Sequence, residues 1–95
     1  MAEDRVIKTS VQELLDLSDV EMQLIDMKVM LALKLKEVRK GQALTQTELA
    51  ARLDVDQARV AKIEAAHDGV SADAILRSLL ALGVSRQEIG NFIAG

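Results

Sequence analysis

The sequence predicts an all-α fold, a small bundle of five or six helices. Proline is absent, and four of the five glycines stand beside the ends of predicted segments, so few helices are interrupted. A capping-box pattern also occurs four times in 95 residues. In this pattern a Ser or Thr side chain accepts a hydrogen bond from the backbone N–H three residues on, where a Glu reaches back. These observations favour helices throughout.

The capping boxes and other N-cap residues place six helices along the chain. The four boxes, Ser10-x-x-Glu13, Ser18-x-x-Glu21, Thr45-x-x-Glu48 and Ser85-x-x-Glu88, begin helices over 11–17, 19–40, 46–53 and 86–93. Asp56 and Ser71 are also N-cap residue types, and they begin helices over 57–66 and 72–82. We expect helices to stop at Gly41, at Asp54-Val55, at His67-Asp68-Gly69 and at Gly83. The chain therefore divides into an N-terminal arm with a short helix, 1–17, and one helical domain, 18–95.

The predicted helix over 19–40 is long and apolar on two sides. If all 22 residues are helical it measures roughly 33 Å, more than one small core can use. One stripe consists of Val20, Leu24, Met27, Leu31, Leu35 and Val38, and the other of Met22, Ile25, Val29 and Leu33. Apolar residues on two faces need two partners. We expect the C-terminal half to pack in the core and the N-terminal half to pack on the short first helix or on a second subunit.

Composition excludes most metalloenzymes. The sequence has no cysteine and one histidine, which excludes thiolate metal sites and any pair of histidine ligands. No nucleophile and base pair or glycine-rich phosphate loop can be assembled from these residues. We therefore expect no enzyme activity, no cofactor and no metal. The first residues form no apolar stretch, so a signal peptide and a membrane span are not expected, and the protein is predicted to be cytoplasmic.

The net charge of −3 hides a gradient along the chain. Residues 1–33 carry seven acidic and three basic side chains, whereas residues 34–67 carry seven basic and five acidic ones. The basic part therefore lies in the middle of the chain.

The basic part also contains two short predicted helices, 46–53 and 57–66, joined by the turn Asp54-Val55-Asp56. This is the spacing of a helix-turn-helix. Ala50 suits the close contact between the two helices, and the residues expected to point inward are Leu49, Leu53, Val55, Val60 and Ile63. The outward face of the second helix presents Gln57, Ala58, Ala61 and Lys62, with Arg59 to one side. In a DNA major groove Gln pairs with adenine, and Lys or Arg pairs with guanine.

The stretch Leu35 to Glu64 resembles the helix-turn-helix of the XRE (Cro/CI-type) family of bacterial and phage repressors. The resemblance lies in the run Leu44-Thr45-Gln46-x-Glu48-Leu49-Ala50 and the run Gln57-x-x-Val60-x-x-Ile63-Glu64, and it continues through Ser71 to Gly83. It covers about residues 33 to 83 and implies a lambda-repressor-like DNA-binding domain with its motif over 46–65.

The resemblance also implies a role for individual residues. Gln46 would bind a phosphate and brace the recognition helix, while Gln57 and Ala58 would read bases at its tip. Lys62 would read or flank a base, and Arg59 would contact phosphate or an edge base. Arg39 and Glu64 would form a structural ion pair between the long helix and the recognition helix.

Two positions depart from the family pattern. Asp54 stands where a turn glycine is usual, and it tolerates the left-handed conformation with some strain. Asp56 stands where Ser or Thr is usual, so its carboxylate caps the helix but repels the DNA backbone. Because one copy of the protein attracts DNA phosphates only weakly, we expect it to bind DNA with useful affinity only as a dimer.

Two functions follow as hypotheses. The first is a transcriptional regulator, a homodimeric repressor that binds double-stranded DNA. The second is an antitoxin, similar to the HigA type, that binds a cognate toxin protein and represses its own operon.

Overall fold

The computed structural model describes residues 18–94. Over this range the chain forms five helices and no strand: α1 (Asp19–Gly41), α2 (Gln46–Leu53), α3 (Gln57–Glu64), α4 (Ala72–Ala81) and α5 (Arg86–Ala94). The predicted all-α bundle is confirmed. The predicted arm and short helix over 1–17 lie outside the described residues.

The helices begin at the predicted caps. Ser18 and Thr45 each form a complete capping box, with the side chain accepting from the backbone of Glu21 and Glu48 and the glutamate returning the bond. Ser85 and Glu88 exchange the same pair of bonds. The Ser71 hydroxyl accepts from the backbone N–H of Ala74 at 3.2 Å. These local bonds satisfy N–H groups that a helix start otherwise leaves without a partner.

α1 ends at Gly41, where a stop was predicted, and the residue with a left-handed backbone after it is Ala43, at φ 56°. The end of α3 differs more, because it lies at Glu64 and not at the predicted residue 66. α1 closes when the N–H of Gln42 donates to the carbonyls of Val38 and Arg39 at 3.0 and 3.2 Å, so the chain reverses two residues later than Gly41. The Gln42 side chain also donates to the carbonyl of Leu82 at 2.7 Å, which joins this turn to the end of α4.

The core surrounds the C-terminal half of α1. Leu31 and Leu35 on this half are buried and pack with residues of the four other helices, chiefly Leu49, Val60, Ile75, Leu79 and Ile89. The predicted position of this half is confirmed. α1 packs chiefly against α4 and α5 and also against α3, which in turn packs against α2.

The N-terminal half of α1 is not packed in the core. From Asp19 to Met30 no side chain is buried, and only Met22 and Lys28 are half-buried. The large apolar residues that are exposed in and just beyond this half are Val20, Leu24, Ile25, Met27, Val29, Met30 and Leu33. The described helices offer this half no apolar partner of comparable extent. None of them is both long enough and apolar enough to cross a membrane.

Candidate nucleic-acid interface

Helices α2 and α3 are positioned by a tight turn at Asp54. Its backbone is left-handed, at φ 57° and ψ 45°, and the next N–H, that of Val55, donates back to the carbonyl of Ala50 at 3.0 Å. Ala50 itself is buried, as are Leu49 and Val60. The small side chain at position 50 therefore allows the two helices to approach closely, as the sequence predicted.

Two side chains of the motif face differently from the prediction. Val55 was expected to point inward, but 38% of it is exposed because its backbone, held to Ala50, directs the side chain out of the turn. Ala61 was expected to face outward and is half-buried. The prediction for Leu49, Val60 and Ile63 as inward residues is confirmed, since all three are buried.

Helix α3 begins with an anion. The Asp56 carboxylate accepts a hydrogen bond from the backbone N–H of Arg59 at 2.8 Å and is exposed to solvent. Gln57, Ala58 and Lys62 are exposed too, whereas Arg59 is half-buried. The free face of α3 thus presents an amide, a small apolar group and one ammonium, beside a carboxylate at the helix start.

A chain of hydrogen bonds joins this face to the interior. The Gln57 amide donates to the side-chain oxygen of Gln46 at 2.6 Å, and the Gln46 amide in turn donates to Glu64 Oε1 at 3.1 Å. Arg39 donates to the same carboxylate from Nε to Oε2 at 2.5 Å and from Nη2 to Oε1 at 3.0 Å. Four residues from three helices are therefore linked, from a buried guanidinium to an exposed glutamine.

At the buried end of this series of hydrogen bonds, Arg39 and Glu64 form an electrostatically favourable pair. Arg39 and Glu64 are 7% and 8% exposed, and Arg39 Nη1 also donates to the carbonyl of Leu44 at 2.7 Å. Hydrogen bonding to Glu64, together with the negative charge of that carboxylate, raises the pKa of Arg39 above its ordinary value, although burial opposes the shift. The guanidinium therefore remains charged and fixes the turn between α1 and α2 as well as α3.

The structure thus brings four of the predicted site residues together, namely Arg39, Gln46, Gln57 and Glu64. Asp56, Ala58, Arg59 and Lys62 lie on α3 or at its start, as predicted, and their roles toward DNA stay predictions. Two contacts were missed. Lys28 Nζ donates to the carbonyl of His67 at 2.9 Å, which holds the turn after α3 against α1, and no sequence signal indicated it. The bond from Arg39 to the Leu44 carbonyl was missed because a backbone acceptor leaves no trace in residue identity.

Comparison with known proteins places this geometry in a family. A helix-turn-helix family model, HTH_3, matches residues 35–89, more than half of the chain. The chain belongs to the XRE-type helix-turn-helix family. No curated protein and no solved structure matched it. The family match runs from the buried Leu35 to the buried Ile89, so it includes the motif and the helices that support it.

In this family α2 and α3 form the helix-turn-helix of an XRE-type domain. Such a domain binds DNA in transcriptional regulation. α3 has the position of the second helix of the motif, which is called the recognition helix. The XRE-type domain here carries no cluster of three or more His, Asp or Glu side chains arranged to hold a metal ion within residues 18–94.

Proposed function

We propose that this protein is a sequence-specific transcriptional regulator, a cytoplasmic homodimeric repressor that reads the major groove with α3. The observation that carries the proposal is the bond between Gln57 and Gln46, because it holds an exposed glutamine at the tip of the recognition helix in one orientation. A side chain already fixed in place loses less conformational entropy when it binds a base.

The Gln57 amide keeps a donor and an acceptor free for a base although it is bonded to Gln46. A glutamine amide has two N–H donors and one carbonyl acceptor, and the bond to Gln46 occupies one donor. The second N–H and the carbonyl oxygen stay available, and together they match N7 and the N6 amino group of adenine. We therefore propose that Gln57 reads an A·T base pair.

The modest positive charge of the middle segment argues for two copies on one operator. Each copy offers few cations to phosphate, and Asp56 opposes the DNA backbone at the start of α3. A homodimer doubles the phosphate contacts and places two recognition helices in successive major grooves, about 34 Å apart. We propose an operator with two half-sites one helical turn apart.

Binding to DNA upstream of the protein's own gene tests the proposal. We expect the wild type to shift one fragment specifically. We expect Gln57→Ala and Lys62→Ala each to weaken that complex by roughly 5- to 150-fold, since a good base contact contributes about 1–3 kcal/mol. The matched controls are Gln87→Ala and Arg86→Ala on α5, which packs against α1 and carries both side chains exposed. If both α3 variants bind like the wild type, the assigned face is wrong.

The second candidate is the antitoxin. Its support in the structure is the exposed apolar surface at the start of α1, at Val20, Leu24 and Met27, which would suit a protein partner in addition to DNA. Co-expression with the product of an adjacent small open reading frame tests it. A stable complex in which toxicity is neutralised supports the antitoxin, and independent purification of the two products opposes it. Neither candidate includes a catalytic step.

A further inference from the structure

One side of α1 carries an apolar stripe that the described part of the domain leaves exposed. Ile25, Val29 and Leu33 are 43%, 44% and 56% exposed and follow one another at four-residue intervals. At about 100° per residue, Leu33 lies nearly opposite Leu31 and Leu35, which are buried in the core. Ile25 lies about 80° from Leu35 around the helix, and it is exposed in the half of α1 that has no buried side chain.

A second copy fits the stripe along its whole length. In an antiparallel pair centred on Val29, the two Val29 side chains meet at the twofold axis, and Ile25 of each copy meets Leu33 of the other. Such an interface is self-complementary, as a twofold axis requires. Apolar contacts with four-residue spacing are also those through which helices interdigitate.

The charges along α1 favour the antiparallel direction. Its first turn carries Asp19 and Glu21, and its last turns carry the exposed Lys36 and Lys40. Residues 19–28 carry three acidic side chains and one basic one, whereas residues 34–40 carry four basic side chains and one acidic one. Antiparallel packing places these oppositely charged halves side by side, although Glu21 then lies level with Glu37 of the other copy, whereas parallel packing would place the like-charged halves together. Glu37, the acidic exception in the basic half, is already paired with Lys34 at 3.2 Å.

We propose that two copies of this chain associate through Ile25, Val29 and Leu33, with their α1 helices antiparallel and Val29 at the twofold axis. This deepens the proposed function, because it names the surface of the homodimer on which operator binding rests. The stripe is small compared with the roughly 800 Å² per partner of a standard interface, so the free dimer is weak and forms at micromolar or higher concentration.

Single cysteines test the arrangement in the full chain, which has no native cysteine. Under mild oxidation we expect Val29→Cys alone to form a disulfide-linked dimer. Ile25→Cys and Leu33→Cys should each fail alone, because antiparallel copies hold these positions about 12 Å from their own counterparts, too far for a disulfide. An equal mixture of these two variants should give the mixed dimer. Leu80→Cys, at an equally exposed position on α4, is the control and should remain monomeric.

Sedimentation equilibrium of the oxidant-free protein gives an independent measurement. We expect the mass to rise from 10.3 kDa toward twice that value with concentration. Val29→Asp should raise the dissociation constant at least tenfold, and Leu80→Asp should change it less than twofold. Circular dichroism of both variants checks that the helices are intact.

Several results would overturn the arrangement. Self-linked dimers of all three stripe variants would mean parallel helices, and no linkage of any of them would mean that the stripe is not the interface. A monomeric protein in which the thiol of the Val29→Cys variant resists alkylation would mean that the chain's own first residues cover the stripe. Because these measurements need no DNA, they fail or succeed separately from operator binding: the expected linkage without a gel shift overturns the proposed function and leaves the dimer intact.

Discussion

The Arg39 guanidinium donates hydrogen bonds to both oxygens of the Glu64 carboxylate, and this buried ion pair joins α1 to the recognition helix α3. The same arginine binds the Leu44 carbonyl, and the same carboxylate accepts from Gln46. The position of α3 therefore depends on a charged contact as well as on apolar packing.

Removing one partner of this pair should destabilise the fold strongly. Arg39→Met leaves the Glu64 carboxylate buried without its counter-charge, and we expect a loss of about 3–5 kcal/mol in the free energy of unfolding. Urea denaturation measures it. The double variant Arg39→Met with Glu64→Leu should recover much of the loss. As a control, Arg77→Ala breaks the exposed pair with Asp73 and should cost less than about 1 kcal/mol. A loss for Arg39→Met as small as that control would mean that the ion pair is not what holds α3.

The bond between Gln46 and Gln57 should appear as energetic coupling in DNA binding. Gln46→Ala frees the Gln57 amide, so a base contact made by Gln57 becomes less favourable. In a double-mutant cycle with the single and double alanine variants, we expect a coupling of about 0.5–1.5 kcal/mol, the range of an intramolecular hydrogen bond. Additive losses would show that the two glutamines act independently on DNA.

Asp56 should limit affinity for DNA without being required for it. Asp56→Asn retains an N-cap side chain of nearly equal preference and removes the negative charge. We expect tighter binding by roughly fivefold at low salt, corresponding to about 1 kcal/mol between unit charges a few ångströms apart in water. Titrations at two salt concentrations measure this, and the gain should shrink at the higher one. Weaker binding by Asp56→Asn at unchanged stability would show that the carboxylate contributes a favourable contact.

The left-handed residue Ala43 offers a test of backbone strain. Ala43 is exposed at φ 56°, a conformation that is costly for a residue with a Cβ atom, so Ala43→Gly should stabilise the protein by about 0.5–1 kcal/mol. The matched control is Ala51→Gly within α2, also exposed, where the same change should destabilise by about 1 kcal/mol. Thermal or urea unfolding of the two variants should therefore give shifts of opposite sign, and equal signs would contradict the backbone assignment at Ala43.

Glu48 should make stability depend on pH at the acidic end. Hydrogen bonds from the backbone and side chain of Thr45 lower the pKa of Glu48 below its ordinary value of 4.5. A depressed folded-state pKa means that the stabilisation is present above pH 4.5 and is lost as the pH falls through the lower folded-state value. Glu48→Gln does not titrate, so its stability deficit relative to the wild type should be present at pH 7 and should shrink at pH 3. An unchanged deficit at the two pH values would rule out the capping carboxylate as its source.

Local chemistry made much of this structure predictable from sequence. Each described cap, from Ser18 to Ser85, depends on residues three apart, and such short-range pairs can be read directly. The helix-turn-helix followed from the spacing of Ala50, Val60 and Ile63. The end of α1 at Gly41 was predicted as well, but the left-handed residue that follows was not, because Ala43 adopts a backbone conformation that favours glycine. Contacts that depend on tertiary position, such as Lys28 with the carbonyl of His67, left no pattern in the sequence.

Because α1 is continuous, it connects its exposed N-terminal half rigidly to the recognition helix α3. It is one uninterrupted helix of 23 residues, gripping α3 near one end through Arg39 and leaving the other end free of the core. Because the helix is continuous, a molecule bound at the free end would be held in a defined orientation relative to α3. The number of residues in α1 sets this orientation: one residue added near the middle of α1 would turn the free end by about 100° relative to the exposed face of α3.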